Sequence, residues 1–260
     1  MDYDDAYANA EYIPNAADYP PRWAAAAQAF RDALSAAGRA RLNLSYGPTD
    51  RQAVDLFFPD GQATGLLVFV HGGYWRRFGR QEWSHFATGA LDSGWAVAMP
   101  GYDLCPDVSI AQITGQVAHA IAMVADKVPG PIRLAGHSAG GHLVARMANV
   151  LPGAVRDRVE RVMPISPVAD LRPLLLTKMN DDFRMDADAA AAESPVLTPR
   201  PQMPVTVWVG GDERPVFLDQ ARWLADAWGA SCVVEAGKHH FDVIDGLRDP
   251  KSEMMKTLLG

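Results

Sequence analysis

Cysteine is scarce in this chain: Cys105 and Cys232 are the only two among 260 residues. Two cysteines cannot build a disulfide framework, and neither sits in a C-x-x-C pair, so a disulfide-stapled scaffold, a redox motif and a structural zinc site are all excluded. Basic blocks are also missing. Lys and Arg total 24 against 31 Asp and Glu, a net charge of −7, and nucleic acid is not an expected partner. No apolar run reaches the roughly 18 residues of a membrane span, so no membrane partner is expected. The opening MDYDDAYANAEYIPNAADYP is acidic and has no apolar core of a secretory signal. H-x-H and H-E-x-x-H are absent, and neither a metal nor a cofactor is expected. The remaining expectation is a cytoplasmic protein acting on a small molecule, with a homodimer as the only macromolecular partner in view.

What is present is ordinary for a globular enzyme-sized chain: 48% hydrophobic and 21% charged residues. Residues 1–20 read as irregular. PRWAAAAQAFRDALSAA, from Pro21 to Ala37, reads as a helix closed by Gly38. LNLSYG and AVDLFFP, on either side of Gly47-Pro48, read as an antiparallel strand pair. Strand and helix then alternate. Strands are expected at 65–70, 95–100, 132–136, 159–166, 204–211 and 231–237, and helices at 79–94, 109–128, 139–151, 215–229 and along the tail from Phe241. Strands that are apolar throughout, each followed by a helix, specify a mostly parallel sheet covered on both faces, here with an antiparallel N-terminal edge. A single domain over 1–260 follows, with 1–43 as an N-terminal extension carrying one helix. Residues 171–201, rich in Ala, Asp and Pro, interrupt the rhythm and read as a small cap insertion made of short helices.

Ligands of such sheets bind at the carboxyl ends of the strands. After the strand IRLA comes Gly136-His137-Ser138-Ala139-Gly140, a G-x-S-x-G between strand and helix. The spacing suits a nucleophile on a sharp turn, because side chains two residues before and after the serine would strike neighbouring backbone. Ser138 needs a base, and the base needs a carboxylate to orient it. Downstream of the helix residue His142, the only histidines are His239 and His240, after the last strand; His240, beside the apolar Phe241, is favoured. For the acid, Asp212 lies just past a strand end in WVGGDERP, with Glu213 beside it, and Asp170 is the reserve. The run LLVFVHGGYW ends a strand in two glycines. Gly72 and Gly73 with Ala139 can supply backbone N–H groups to an oxyanion. Tyr74 and Trp75 then wall the pocket, and His71 reads as a structural hydrogen-bonding residue.

These segments resemble the kynurenine formamidase (arylformamidase) group of the α/β-hydrolases. The matching stretches are HGGYW (71–75), GYDLCP (101–106), GHSAGGHL (136–143), SPV (194–196), GGDERPVF (210–217) and HHFDVI (239–244). The resemblance implies an α/β-hydrolase fold and a triad of Ser138, Asp212 and His240. It also implies an oxyanion hole of Gly72, Gly73 and Ala139, and hydrolysis of an N-formyl arylamide such as N-formyl-L-kynurenine. The alternative is a carboxylesterase for short acyl esters. Asp-Glu-Arg-Pro departs from the Asp-Ser-Pro of animal members. Met179 and Phe183 join Tyr74 and Trp75 as expected pocket residues.

Overall fold

The computed structural model describes residues 2–260. Eight strands form one sheet: β1 (Ala40–Ser45), β2 (Ala53–Phe57), β3 (Leu66–Val70), β4 (Ala96–Pro100), β5 (Ile132–His137), β6 (Val159–Ile165), β7 (Thr206–Gly210) and β8 (Ser231–Glu235). Their order is β1-β2-β4-β3-β5-β6-β7-β8. β2 runs antiparallel to both β1 and β4, and all other pairings are parallel. The antiparallel edge and the parallel centre therefore lie where the sequence places them.

The apolar strand runs divide between two cores by the two-residue period of a strand. Leu66, Val68 and Val70 of β3 face one side, with the helices Ile110–Ala125, Ala139–Val150 and Pro215–Trp228. Leu67 and Phe69 face the other, with the helix Tyr19–Ala36 and the C-terminal helix Glu253–Leu259. Ser109 caps the first of these helices, and its hydroxyl accepts the Gln112 N–H.

Two expected helices are broken. Residues 79–94 form a 3₁₀ stretch, Arg80–Ala87, and then one α-helical turn, Thr88–Asp92. Trp83 through Ala87 are all buried in succession, and Arg80 reaches Asp55, so packing on every side rather than one amphipathic face sets the winding. The tail splits into Val243–Arg248 and Glu253–Leu259 around Asp249-Pro250, because proline disfavours a helical residue before it. Residues 171–201 hold four short helical pieces, as expected. The N-terminal stretch is ordered into turns at Tyr3–Ala6, Ala10–Tyr12 and Ala16–Asp18. Among the described residues, no helix is long and apolar enough to cross a membrane.

Candidate active site

The turn after β5 carries Ser138 at φ 57°, ψ −117°, outside the regions a serine ordinarily occupies. Three contacts hold it there. Its N–H donates to Ile165 O of β6 at 2.8 Å. A Cβ on Gly136 would lie 2.2 Å from Gly140 O, and one on Gly140 would lie 2.0 Å from Val70 O. Both motif glycines are therefore required by backbone contact, and the helix Ala139–Val150 starts directly behind the serine.

The turn after β3 comes up against the same serine. A Cβ on Gly72 would lie 3.0 Å from Ser138 Cβ. Gly73, Tyr74 and Trp75 follow at φ 113°, 52° and 54°, three left-handed residues in succession. Two of them carry side chains, and such a conformation costs roughly 1–2 kcal/mol per residue. His71 locks this turn: its Nδ1–H donates to Gly72 O at 2.7 Å, and Tyr102 Oη donates to His71 O at 2.9 Å. Burial lowers the His71 pKa to about 4, which keeps the ring neutral. Among the described residues, the backbone N–H groups of Gly72, Gly73 and Ala139 have no hydrogen-bond acceptor, and of the three only Gly73 lines the cavity described below.

His240 lies in the loop after β8. Its Nδ1 sits 2.6 Å from Glu213 Oε2. The other Glu213 oxygen accepts from Gly210 N at 2.8 Å and from the Ser166 hydroxyl. The carboxylate on the histidine is thus Glu213, not the expected Asp212. β7 ends at Gly210, the chain reverses through Gly211, and Asp212 leaves the turn facing solvent with its N–H on Lys238 O. The next residue, Glu213, is buried, and its side chain turns back to Gly210 N and the Ser166 hydroxyl beside His240. The reserve, Asp170, is also elsewhere. Burial raises its pKa, but the bonds from Arg172 outweigh that and hold it below the usual carboxylate value.

The two neighbouring histidines have separate duties. His137 Nε2–H donates to His240 O at 2.8 Å, clasping the backbone of the loop. Burial, and then the proximity of His240, push the His137 pKa well down. His239 Nε2 lies 3.1 Å from Tyr19 Oη and ties the loop to the helix Tyr19–Ala36.

Ser138 and His240 share a cavity of about 480 Å³. Its walls are Trp23, Phe78, Trp83, Phe241 and Tyr74. The N-terminal stretch covers it with Tyr7, Asn9, Ala16 and Pro20, while residues 171–201 contribute nothing to the lining. Tyr7 is pinned from three directions: Tyr74 Oη donates to its carbonyl at 2.7 Å, Gln220 Nε2 donates to its hydroxyl at 2.7 Å, and its ring packs edge-on against Phe217. Only Tyr74 of the four expected pocket residues lines the cavity. The left-handed turn drives Trp75 into the core, edge-on to Phe183 at 5.6 Å and to His142 at 5.0 Å. Phe183 and Met179 pack in that same core.

The alpha/beta hydrolase fold family matches residues 67–231, and the chain belongs to it. It is a hydrolase enzyme. A Salmo salar protein named kynurenine formamidase is 26% identical over 236 residues, covering 84% of this chain and 80% of its own length. A crystal structure from Silicibacter sp. TM1040, described as a candidate thioesterase, is 59% identical with a TM-score of 0.98 over 100% of both chains. An esterase of Pyrobaculum calidifontis shares the fold at 20% identity, with a TM-score of 0.67 over 93% of each chain.

Proposed function

We propose that this chain is a cytoplasmic serine hydrolase that cleaves an N-formyl arylamide, N-formyl-L-kynurenine being the first candidate, with Ser138, His240 and Glu213 as its triad. The observation that carries the reading is the shared cavity: a nucleophile on a strained turn, a histidine held by a buried carboxylate, and walls that are aromatic. Its volume falls in the range of about 300–1,000 Å³ usual for small-molecule sites. The kynurenine formamidase relative, matched over most of both chains, supports the substrate class. Two free cysteines, one buried and one half-buried, support a reducing compartment.

In this reaction Ser138 Oγ attacks the formyl carbon while its proton passes to His240 Nε2. Glu213 holds the Nδ1–H and balances the imidazolium charge. The oxyanion forms against the free N–H groups of Gly72, Gly73 and Ala139, where each donor contributes about 2.7–4 kcal/mol to the transition state. The C–N bond breaks as His240 protonates the aryl nitrogen. Water then adds to the formyl-serine, with His240 again taking the proton, and formate leaves.

The second reading is a short-acyl esterase or thioesterase, favoured by the description of the Silicibacter structure. The same machinery serves it. The measurement that separates the two compares kcat/KM for N-formyl-L-kynurenine, p-nitrophenyl acetate and an acetyl thioester, with Ser138→Ala as the blank. The formamidase reading expects about 10⁴ M⁻¹s⁻¹ or more on the formamide, above both others. Cleavage of the ester or thioester alone would replace it with the second reading.

A further inference from the structure

The cavity is aromatic along its walls, and Ser138 and His240, 3% and 4% exposed, form its floor. Two lining residues do not suit an apolar slot. Arg77 and Glu11 both stand exposed at the rim. Two nearby arginines are paired: Arg76 meets Asp182 at 2.7 Å, and Arg214 meets Asp5 at 2.6 Å. Among the described residues, neither Arg77 nor Glu11 has an opposite charge within salt-bridge distance, and they do not pair with each other.

Both are held in place by the elements that build the site. Arg77 ends the turn after β3, its N–H donating to Gly73 O at 3.1 Å, and its guanidinium lies 5.3 Å from the ring of Phe78, a cavity wall. Glu11 sits in the turn Ala10–Tyr12, just beyond Tyr7 and Asn9, which Tyr74 anchors. One cation and one anion therefore reach the rim from different segments of chain, above an aromatic shaft that ends at the nucleophile.

We propose that Arg77 and Glu11 form a split-charge rim that recognises a zwitterionic α-amino-acid head group on the arylamine half of the substrate. The Arg77 fork takes the carboxylate and Glu11 takes the ammonium group. The arylamine identity rests on the formamidase reading; recognition of the head group is a binding property and is separable from turnover. A rim of balanced charge gives no advantage to a polyphosphate-bearing thioester or to an uncharged ester. Rim pairs open to water have small effects. The expected change is about two- to fivefold in Kd for Glu11 and somewhat more for the bidentate Arg77.

The test is calorimetric titration of three unreactive ligands. L-kynurenine carries the ring and the full head group. 4-(2-Aminophenyl)-4-oxobutanoate lacks the ammonium, and 2-aminoacetophenone lacks the head group entirely. The wild type should bind L-kynurenine most tightly. Arg77→Gln should weaken the first two ligands, Glu11→Gln only the first, and neither should change the third. Equal wild-type affinities for L-kynurenine and 2-aminoacetophenone, or variants that weaken all three alike, would overturn the proposal. Turnover of N-formyl-L-kynurenine is scored separately. If the binding pattern holds without turnover, the rim stands and the formamidase reading falls; if turnover occurs without the pattern, the reverse is concluded.

Discussion

A single residue decides which carboxylate serves His240. Glu213 is buried and bonded to Gly210 N, Ser166 and the imidazole, whereas Asp212 next to it points into water. Glu213→Gln keeps the shape but removes the charge that stabilises an imidazolium, and kcat should fall by about 10³-fold or more. Asp212→Asn should leave kcat within about twofold. Steady-state kinetics on any cleaved substrate checks both, and comparable losses in the two variants would refute the assignment. The sequence could point to the right turn but not to the right residue within it, because a one-residue offset depends on where β7 ends and how Gly211 reverses. Glutamate after aspartate was the available signal, a second carboxylate in the same turn.

At the scale of an element, the turn after β3 combines strain with close approach. A Cβ on Gly73 would lie 2.4 Å from Arg77 O, and φ is 113° there. Gly73→Ala must shift the turn that packs against Ser138 and, on the proposed mechanism, its oxyanion donors. The expected result is a kcat loss of about 10²-fold with a cooperative thermal transition retained. Unchanged kcat would show that this turn does not contact the reacting oxygen. The strand–turn–helix frame was legible because G-x-S-x-G and H-G-G each follow an apolar strand and each glycine meets backbone. The fate of Trp75 was not legible. Its burial follows from left-handed Tyr74 and Trp75, a conformation that no local pattern announces. The cover over the cavity was equally hidden, since it depends on contacts such as Tyr7 with Gln220, far apart in the chain.

For the molecule as a whole, buried histidines set the response to acid. Burial lowers the pKa of His71 and His85 to about 4 and of His142 to about 3, and lowers that of His137 strongly. Unfolded histidine titrates near 6.5, so between about pH 4 and 6.5 the unfolded chain binds more protons than the folded one. These groups therefore leave stability intact above about pH 6.5 and withdraw it as the pH falls, by roughly 1.4 kcal/mol per pH unit for each histidine. The midpoint of thermal unfolding should be flat from pH 8 to 7 and drop steeply toward pH 5. A midpoint unchanged between pH 7 and 5 would contradict neutral, buried rings.

The cover formed by the N-terminal stretch makes the cavity depend on segments far apart in the chain. Tyr7 is held by Gln220, Asp5 by Arg214 and Tyr19 by His239, so residues 5–19 are fastened to residues 214–239. The cleft is roofed only where these two distant segments meet, so loosening either one uncovers Ser138 and His240 together.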